Sequence, residues 1–341
     1  MLTLAQKFLS EVQSQAGVAP FMGITLKVPE IQSVLDFIES EPTAGKLRDE
    51  IVAIFRKRNW MLDPIDIQQF MQLIGEAQFW TLAKRAGVEL ERISEGGGKS
   101  PDFRLRGDSE FAPYFEVKTL SVKGGDTGIA TMNEDSFQAE HSLSRQVSDG
   151  KKFATAITEV APHGLVKDGK NTTTIVQNLI DKTTQNLKSG QFVNRFTCLV
   201  LNLLLIDGYY NDPDSLRPIA FGWPDDWSVR SGPYWNLAFG EPEHLVFGLA
   251  EFEGKPGIEG VLGRKGVLAE NSNIAALLLV VHPLGGARKI YGLKRDADND
   301  TWQEDGEKLA TAFFKLVGTN WNDELDTNGW CLYQNARGEK C

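Results

Sequence analysis

The chain has 341 residues, of which 41% are hydrophobic and 24% charged, the balance of a folded globular protein with room for one large domain or two modest ones. Its formal net charge of −10 excludes a protein that coats nucleic acid through overall basicity, although 16 Lys/Arg against 15 Asp/Glu from Leu82 to Arg195 leave that third near neutral. Three cysteines without a C-x-x-C pair exclude a zinc ribbon and a redox dithiol, and His141, His163, His244 and His282 are too scattered for an H-E-x-x-H helix. The longest apolar runs, at 203–206 and 274–281, fall short of the ~20 residues of a membrane span, and Met1 to Lys7 has no signal-peptide pattern. A cytoplasmic protein with no membrane partner is expected.

Residues 1–62 read as a helical N-terminal module. Leu4, Phe8, Leu9 and Val12 recur at helical spacing, as do Ile31, Val34, Leu35 and Ile38 after a loop at 20–29. A third helix is expected from Thr43 as N-cap through Leu47, Ile51, Ile54 and Phe55 to Arg58. Asp63-Pro64, a capping side chain followed by proline in the first turn, then opens a helix carrying Phe70, Met71, Ile74, Phe79 and Leu82 to a stop at Gly87. Glu76 stands out in it, because Leu73 and Trp80 lie one turn away and an unpaired carboxylate among them is costly to bury.

Residues 88–94 alternate as a strand. The run Gly96-Gly97-Gly98-Lys99-Ser100 has the composition of a P-loop, but the motif requires glycine where Ile93 stands and a helix where Pro101-Asp102 follows, so ATP binding is excluded. Two strands come next, at 101–105 and 114–120, joined by a turn around Gly107-Asp108-Ser109. Side chains alternate along a strand, so Asp102, Arg104 and Arg106 share one face, and Glu116 and Lys118 share another. If the strands are neighbours, two carboxylates and an ammonium meet in one patch.

Beyond Leu120 the chain is polar and glycine-bearing to about Asn171, with a helix expected near 136–147. A helix at 172–188 carries Ile175, Leu179, Ile180 and Leu187, with Lys182 and Gln185 one turn apart. Residues 196–206 read as a buried strand and 209–235 as a long irregular excursion. Its aromatics Trp223, Trp227, Tyr234 and Trp235 either stack on bases or pin the segment to the core. Strands at 245–252 and 274–281 and a helix at 302–316 complete the reading.

In order, the middle of the chain is a helix with Glu76, a strand, a strand with Asp102, a strand with Glu116 and Lys118, a helix and a strand. With Pro101-Asp102 and Glu116-Val117-Lys118, it resembles the PD-(D/E)xK, or restriction-endonuclease-like, nuclease superfamily over roughly residues 64–206. The resemblance implies an α/β fold with a mixed sheet flanked by helices (an αβββαβ core), in a nuclease domain spanning 63–341 with C-terminal elaborations. It also implies a Mg²⁺-dependent phosphodiesterase, with Mn²⁺ as substitute, cleaving DNA in a restriction or defence role. Asp102 and Glu116, with the Val117 carbonyl, would hold the ion; Lys118 would position the attacking water; Glu76 would complete the ligand set. Lys182 and Gln185 would contact the scissile-strand backbone. Hard carboxylate oxygens suit Mg²⁺, which takes few protein ligands and lowers the pKa of a bound water.

Alternatives of other kinds stay open: a sequence-specific type II restriction enzyme, a catalytically silent DNA-binding or assembly subunit, RNA as the substrate, and a homodimer. A second Pro-Asp and Glu-x-Lys pair, Pro224-Asp225 with Glu253-Gly254-Lys255, fails on context because the latter runs into the turn Pro256-Gly257. The bland account of the chosen pair is an exposed hairpin on which Asp102 pairs with Arg104 and Glu116 with Lys118.

Overall fold

A computed structural model of the chain describes residues 2–15, 28–93, 100–107, 112–157, 171–206, 213–217, 219–221, 228–230, 232–246, 260–282, 287–296, 302 and 306–326. The chain forms two compact units, Met1–Thr81 with Ser121–Leu165, and Leu82–Leu120 with Val166–Cys341. The first unit thus takes up a further segment beyond the Glu116 strand. Among the described residues no helix is long and apolar enough to cross a membrane.

The first unit is helical: α1 (Leu4–Gln15), α2 (Val28–Ser40), α3 (Gly45–Phe55), most of α4 (Pro64–Arg85) and α5 (Gly125–Ser148). In α2 the four apolar residues at helical spacing, Ile31, Val34, Leu35 and Ile38, are the buried ones, as an amphipathic stripe requires. Thr43 does not cap α3, which has Ala44 at its N-cap without a side-chain bond; the capping side chain nearby is Glu41, at the head of the 3₁₀ turn Pro42–Ala44. The Glu41 carboxylate accepts from the Thr43 hydroxyl at 2.7 Å and its N–H at 3.4 Å, and Pro42 opens a short 3₁₀ turn that delays the α-helix to Gly45. Asp63 caps α4 as its sequence demands, its Oδ1 accepting from the N–H of Ile65 at 2.8 Å and of Asp66 at 3.3 Å. Phe70 of α4 gathers the rings of Phe8, Phe55 and Trp60 at centroid distances of 5.7, 5.7 and 4.7 Å, which anchors this core. The helix α5 is 24 residues long, about twice the stretch expected at 136–147. Its glycines start it and do not break it: Gly124 holds φ +84 at the N-cap, and a Cβ on Gly128 would lie 2.0 Å from the Lys123 carbonyl oxygen.

The second unit is built on a seven-stranded mixed sheet. Its strands are β1 (Leu90–Arg92), β2 (Phe103–Leu105), β3 (Tyr114–Thr119), β4 (Thr197–Asn202), β9 (Ala276–Val281), β10 (Lys289–Lys294) and β11 (Trp321–Asp323), in that spatial order. Two small antiparallel pairs, β5 (Ile219–Phe221) with β6 (Ser228–Arg230) and β7 (Leu245–Val246) with β8 (Gly260–Val261), stand apart from it. The strands β1, β2 and β3 run antiparallel, whereas β4 lies parallel to β3 and β9 parallel to β4. A parallel step needs a crossover, and α6 (Thr172–Asn186) lies on the one from β3 to β4. Asn171 caps α6: its side chain accepts from the Thr174 N–H at 2.9 Å, and the Thr174 hydroxyl accepts from the Asn171 N–H at 2.8 Å. Every residue of β4 and β9 is buried, which is why Cys198–Leu201 and Ala276–Val281 read as apolar runs without alternation. The run that continues to Ile206 in sequence leaves the sheet at Asn202, whose Oδ1 accepts the Leu204 N–H at 2.9 Å and turns the chain.

Three further helices follow: α7 (Pro233–Phe239), α8 (Val267–Glu270) and α9 (Glu307–Val317). Tyr234 and Trp235 are buried in α7, with the Trp235 indole N–H donating to the Asp323 carbonyl at 3.0 Å, so these two aromatics pin the segment to the core. Trp223, Trp227, the second Pro-Asp/Glu-x-Lys pair, the Gly96–Gly98 run, Asp108-Ser109 and the far end of the strand expected at 245–252 lie outside the described residues. The strands β10 and β11 were not legible as such, and α9 begins at Glu307, five residues after Trp302. Gly292 in β10 faces α9, where a Cβ would lie 2.5 Å from the Phe313 ring and 2.6 Å from Val317. Gly292→Ala should therefore destabilise the protein by ~1–3 kcal/mol through overpacking, read as a lower midpoint in urea. An unchanged midpoint would mean that α9 does not lie this close to β10.

Candidate metal centre

The register Phe103↔Phe115 and Arg104↔Tyr114 places the residue just before β2 beside the middle of β3. That residue is Asp102. Its main-chain carbonyl accepts the Ile93 N–H at 2.9 Å, and its carboxylate Oδ2 accepts the Val117 N–H at 2.8 Å, so it is clamped between the end of β1 and β3. On β3, period-two alternation turns Glu116 and Lys118 to the same face, and the Lys118 ammonium donates to Glu116 Oε1. The next strand brings Thr197, Leu199 and Leu201 alongside Tyr114, Glu116 and Lys118. Glu116 thus stands where a polar strand face meets an apolar one, and it is fully buried at 0% exposure.

The two oxygens of Glu116 are not equivalent. Oε1 accepts from Lys118 Nζ and, at 2.5 Å, from Gln191 Nε2. Oε2 is buried and has no hydrogen-bond partner. Leaving such an oxygen unsatisfied costs ~1–3 kcal/mol or more for a charged group, so it calls for a physical reason. Burial first, and the neighbouring Asp102 carboxylate second, push the Glu116 carboxyl up to about 7, against the opposing pull of the Lys118 and Lys188 ammonium groups.

The exposed-hairpin account holds only for its Glu116–Lys118 pair. Arg104 sits directly across from Glu91 and donates to it through Nε at 2.7 Å, and this ion pair holds its guanidinium above the ordinary range. Glu116, for its part, is not exposed. The structure brings together Asp102, Glu116, Lys118 and the Val117 main chain. Glu76 is half-buried on α4 in the first unit, whereas these four belong to the second. Lys182 is half-buried on α6, its ammonium pushed down by desolvation, and Gln185 is exposed. The glutamine that bonds Glu116 is Gln191, and the lysine within its electrostatic reach beyond β3 is Lys188. This pair has the same spacing as Lys182 and Gln185 but stands six residues later, in the turn past the end of α6. The repeated Lys-x-x-Gln spacing was the available signal; nothing local marks which copy faces the sheet.

Among the described residues no group of three or more His, Cys, Asp or Glu gathers. Two carboxylates meet the needs of Mg²⁺, which keeps several waters and takes one or two protein carboxylates. The donor set fits such an ion: hard oxygens only, one of them buried and unpartnered, on a carboxyl that burial first and the Asp102 carboxylate second push up to about 7. Comparisons of the chain with protein-family models, with curated proteins and with solved structures found no match.

A pH dependence follows from Glu116. A carboxyl held at about 7 in the folded protein and near 4.5 in the unfolded chain keeps its proton longer in the folded state. Its stabilising contribution is therefore complete below about pH 4.5 and is lost as the pH rises through about 7. Without divalent metal, Glu116→Gln should gain stability relative to the wild type over that window, on the order of 3 kcal/mol, in denaturant titrations at a series of pH values. A difference between the two proteins that does not vary with pH would contradict the assigned environment.

Proposed function

We propose that this chain is a divalent-metal-dependent phosphodiesterase of restriction-endonuclease-like architecture that hydrolyses DNA, in a restriction or defence role. The observation that carries the reading is Glu116: a fully buried carboxylate, anchored through one oxygen, unpartnered at the other, beside Asp102 and bonded to Lys118. The chain order α4, β1, β2, β3, α6, β4, with α5 inserted before α6 and with β4 parallel to β3, supports the same reading.

Asp102 and Glu116 would hold Mg²⁺ or Mn²⁺, with the Val117 carbonyl as a further oxygen. When bound, the ion supplies charge stabilisation at the phosphoryl oxygens and a water of lowered pKa. Hydrolysis joins a water oxygen to phosphorus and breaks one P–O ester bond. The Lys118 side chain is 19% exposed and spends one N–H on Glu116, which leaves two to orient the attacking water and meet the negative charge that grows on the phosphoryl group. Asp102 keeps its own geometry through the Val117 N–H, so its carboxylate is preorganised before substrate arrives. Lys188, exposed and within electrostatic reach of Glu116, would add a second cation to meet the phosphate.

Incubation with supercoiled plasmid and Mg²⁺ or Mn²⁺ should give nicked or linear DNA, and Asp102→Ala or Lys118→Ala should each lower the rate ~10²-fold or more. Cleavage that persists unchanged in both variants would sink the site assignment. Binding without cleavage of DNA or RNA by the wild type would instead favour a silent subunit, and discrete bands a sequence-specific enzyme. Mg²⁺ should also raise the thermal midpoint of the wild type, by an amount that grows with concentration, and leave Asp102→Ala unmoved; an equal rise in both would place the ion elsewhere.

A further inference from the structure

The Glu116 carboxylate is held from outside its own strand by Gln191, and that contact is made by a side chain with no freedom left. Gln191 is 7% exposed and lies in the 3₁₀ turn Ser189–Phe192 that follows α6. Both ends of its amide are used: Oε1 accepts the Lys188 main-chain N–H at 3.2 Å, and Nε2 donates to Glu116 Oε1 at 2.5 Å. Turning the amide over would set NH₂ against an N–H and a carbonyl oxygen against a carboxylate, so its orientation is fixed by its two partners. The turn is itself fastened, by the Gln191 N–H to the Lys188 carbonyl at 2.9 Å and by the Asn273 side-chain amide to the Phe192 carbonyl at 3.1 Å.

Lys118 alone would not fix the carboxylate. It is on the same strand, its ammonium is a rotatable point donor on a long stem, and it serves either oxygen of Glu116 equally well. Gln191 breaks that symmetry, because it reaches Oε1 from a separate element and leaves Oε2 as the oxygen without a partner.

We propose that Gln191 is a positioning residue for the metal: it locks the Glu116 rotamer through Oε1 so that Oε2 is presented, stripped of other partners, to a divalent cation shared with Asp102. This rests on the metal reading above. It assigns to the Lys188–Gln191 turn the role of completing the centre, in place of the Lys182–Gln185 stretch of α6. Such outer contacts typically set metal affinity by ~10–100-fold.

The test is direct binding of Mn²⁺ to the full-length protein, followed by the paramagnetic signal of the free ion, in the wild type, Gln191→Met, Glu116→Gln and the double variant. Methionine keeps the bulk and apolar stem of glutamine and lacks the amide. The expected result is Mn²⁺ affinity lowered ~10-fold or more in Gln191→Met, with no further loss when Gln191→Met is added to Glu116→Gln, since the residue acts only through Glu116. Should Gln191→Met not fold, Gln191→Asn, shorter by one methylene and unable to span both partners, carries the same expectation. Wild-type affinity in a folded Gln191 variant, even one with a lowered thermal midpoint, would overturn this inference and leave the metal reading standing. No Mn²⁺ binding by the wild type would overturn both.

Discussion

A carboxylate that is wholly buried and satisfied at only one of its two oxygens is the constraint around which the second unit makes sense. Glu116 Oε1 has two donors and Oε2 has none, and Asp102 adds a second negative charge close by. Left to itself the pair resolves this by retaining a proton, which is what a carboxyl at about 7 means. The proposed divalent cation would resolve it better, by offering positive charge to both carboxylates and filling the unpartnered oxygen at once. Proton and metal compete for the same lone pair, so the raised carboxyl and the proposed ion are two aspects of one electrostatic arrangement.

The sheet supplies the rigidity this needs. Asp102 stands at the start of an edge-side strand and is tied by main-chain and side-chain bonds to β1 and β3. Glu116 lies on β3, flanked on one side by the antiparallel meander and on the other by the apolar parallel strands β4 and β9. Both strands are buried along their whole length, and β4, the neighbour of β3, sets Leu199 beside Glu116. Opposite charges elsewhere on the meander are matched separately: Glu91 takes Arg104, which keeps that guanidinium from neutralising Asp102.

Much of this geometry was legible in the residues themselves. The period of two on Tyr114-Phe115-Glu116-Val117-Lys118 sends Glu116 and Lys118 to one face, and the short break after Leu105 brings Asp102 back beside them, as the register has it. Asp63-Pro64 and Gly87 bounded α4 because capping chemistry is local. What failed to show was whatever depends on distant packing. The glycines at 124, 125 and 128 look like a loop until the positive φ of Gly124 and Gly125 and the tight approach of Gly128 to Lys123 place them at a helix start. Gly292 interrupts the alternation of β10 because α9 packs against its bare Cα. Thr43 is a good capping residue by type, but its own N–H and hydroxyl are both donated to Glu41, which caps the 3₁₀ turn ahead of the helix. Gln191 is the clearest case: by letters alone it is indistinguishable from Gln185, and only the crossover from α6 to β4 decides which of them meets Glu116.

The claim on which the whole account turns is that Glu116 Oε2 and Asp102 share a divalent cation. Anomalous diffraction from crystals of the wild-type protein soaked in Mn²⁺ tests it at the atom in question. The account predicts a peak within about 2.2 Å of Glu116 Oε2 and of an Asp102 carboxylate oxygen, with Lys118 and Gln191 still on Oε1. A well-ordered site with no peak there, or with Lys118 turned onto Oε2, would contradict it.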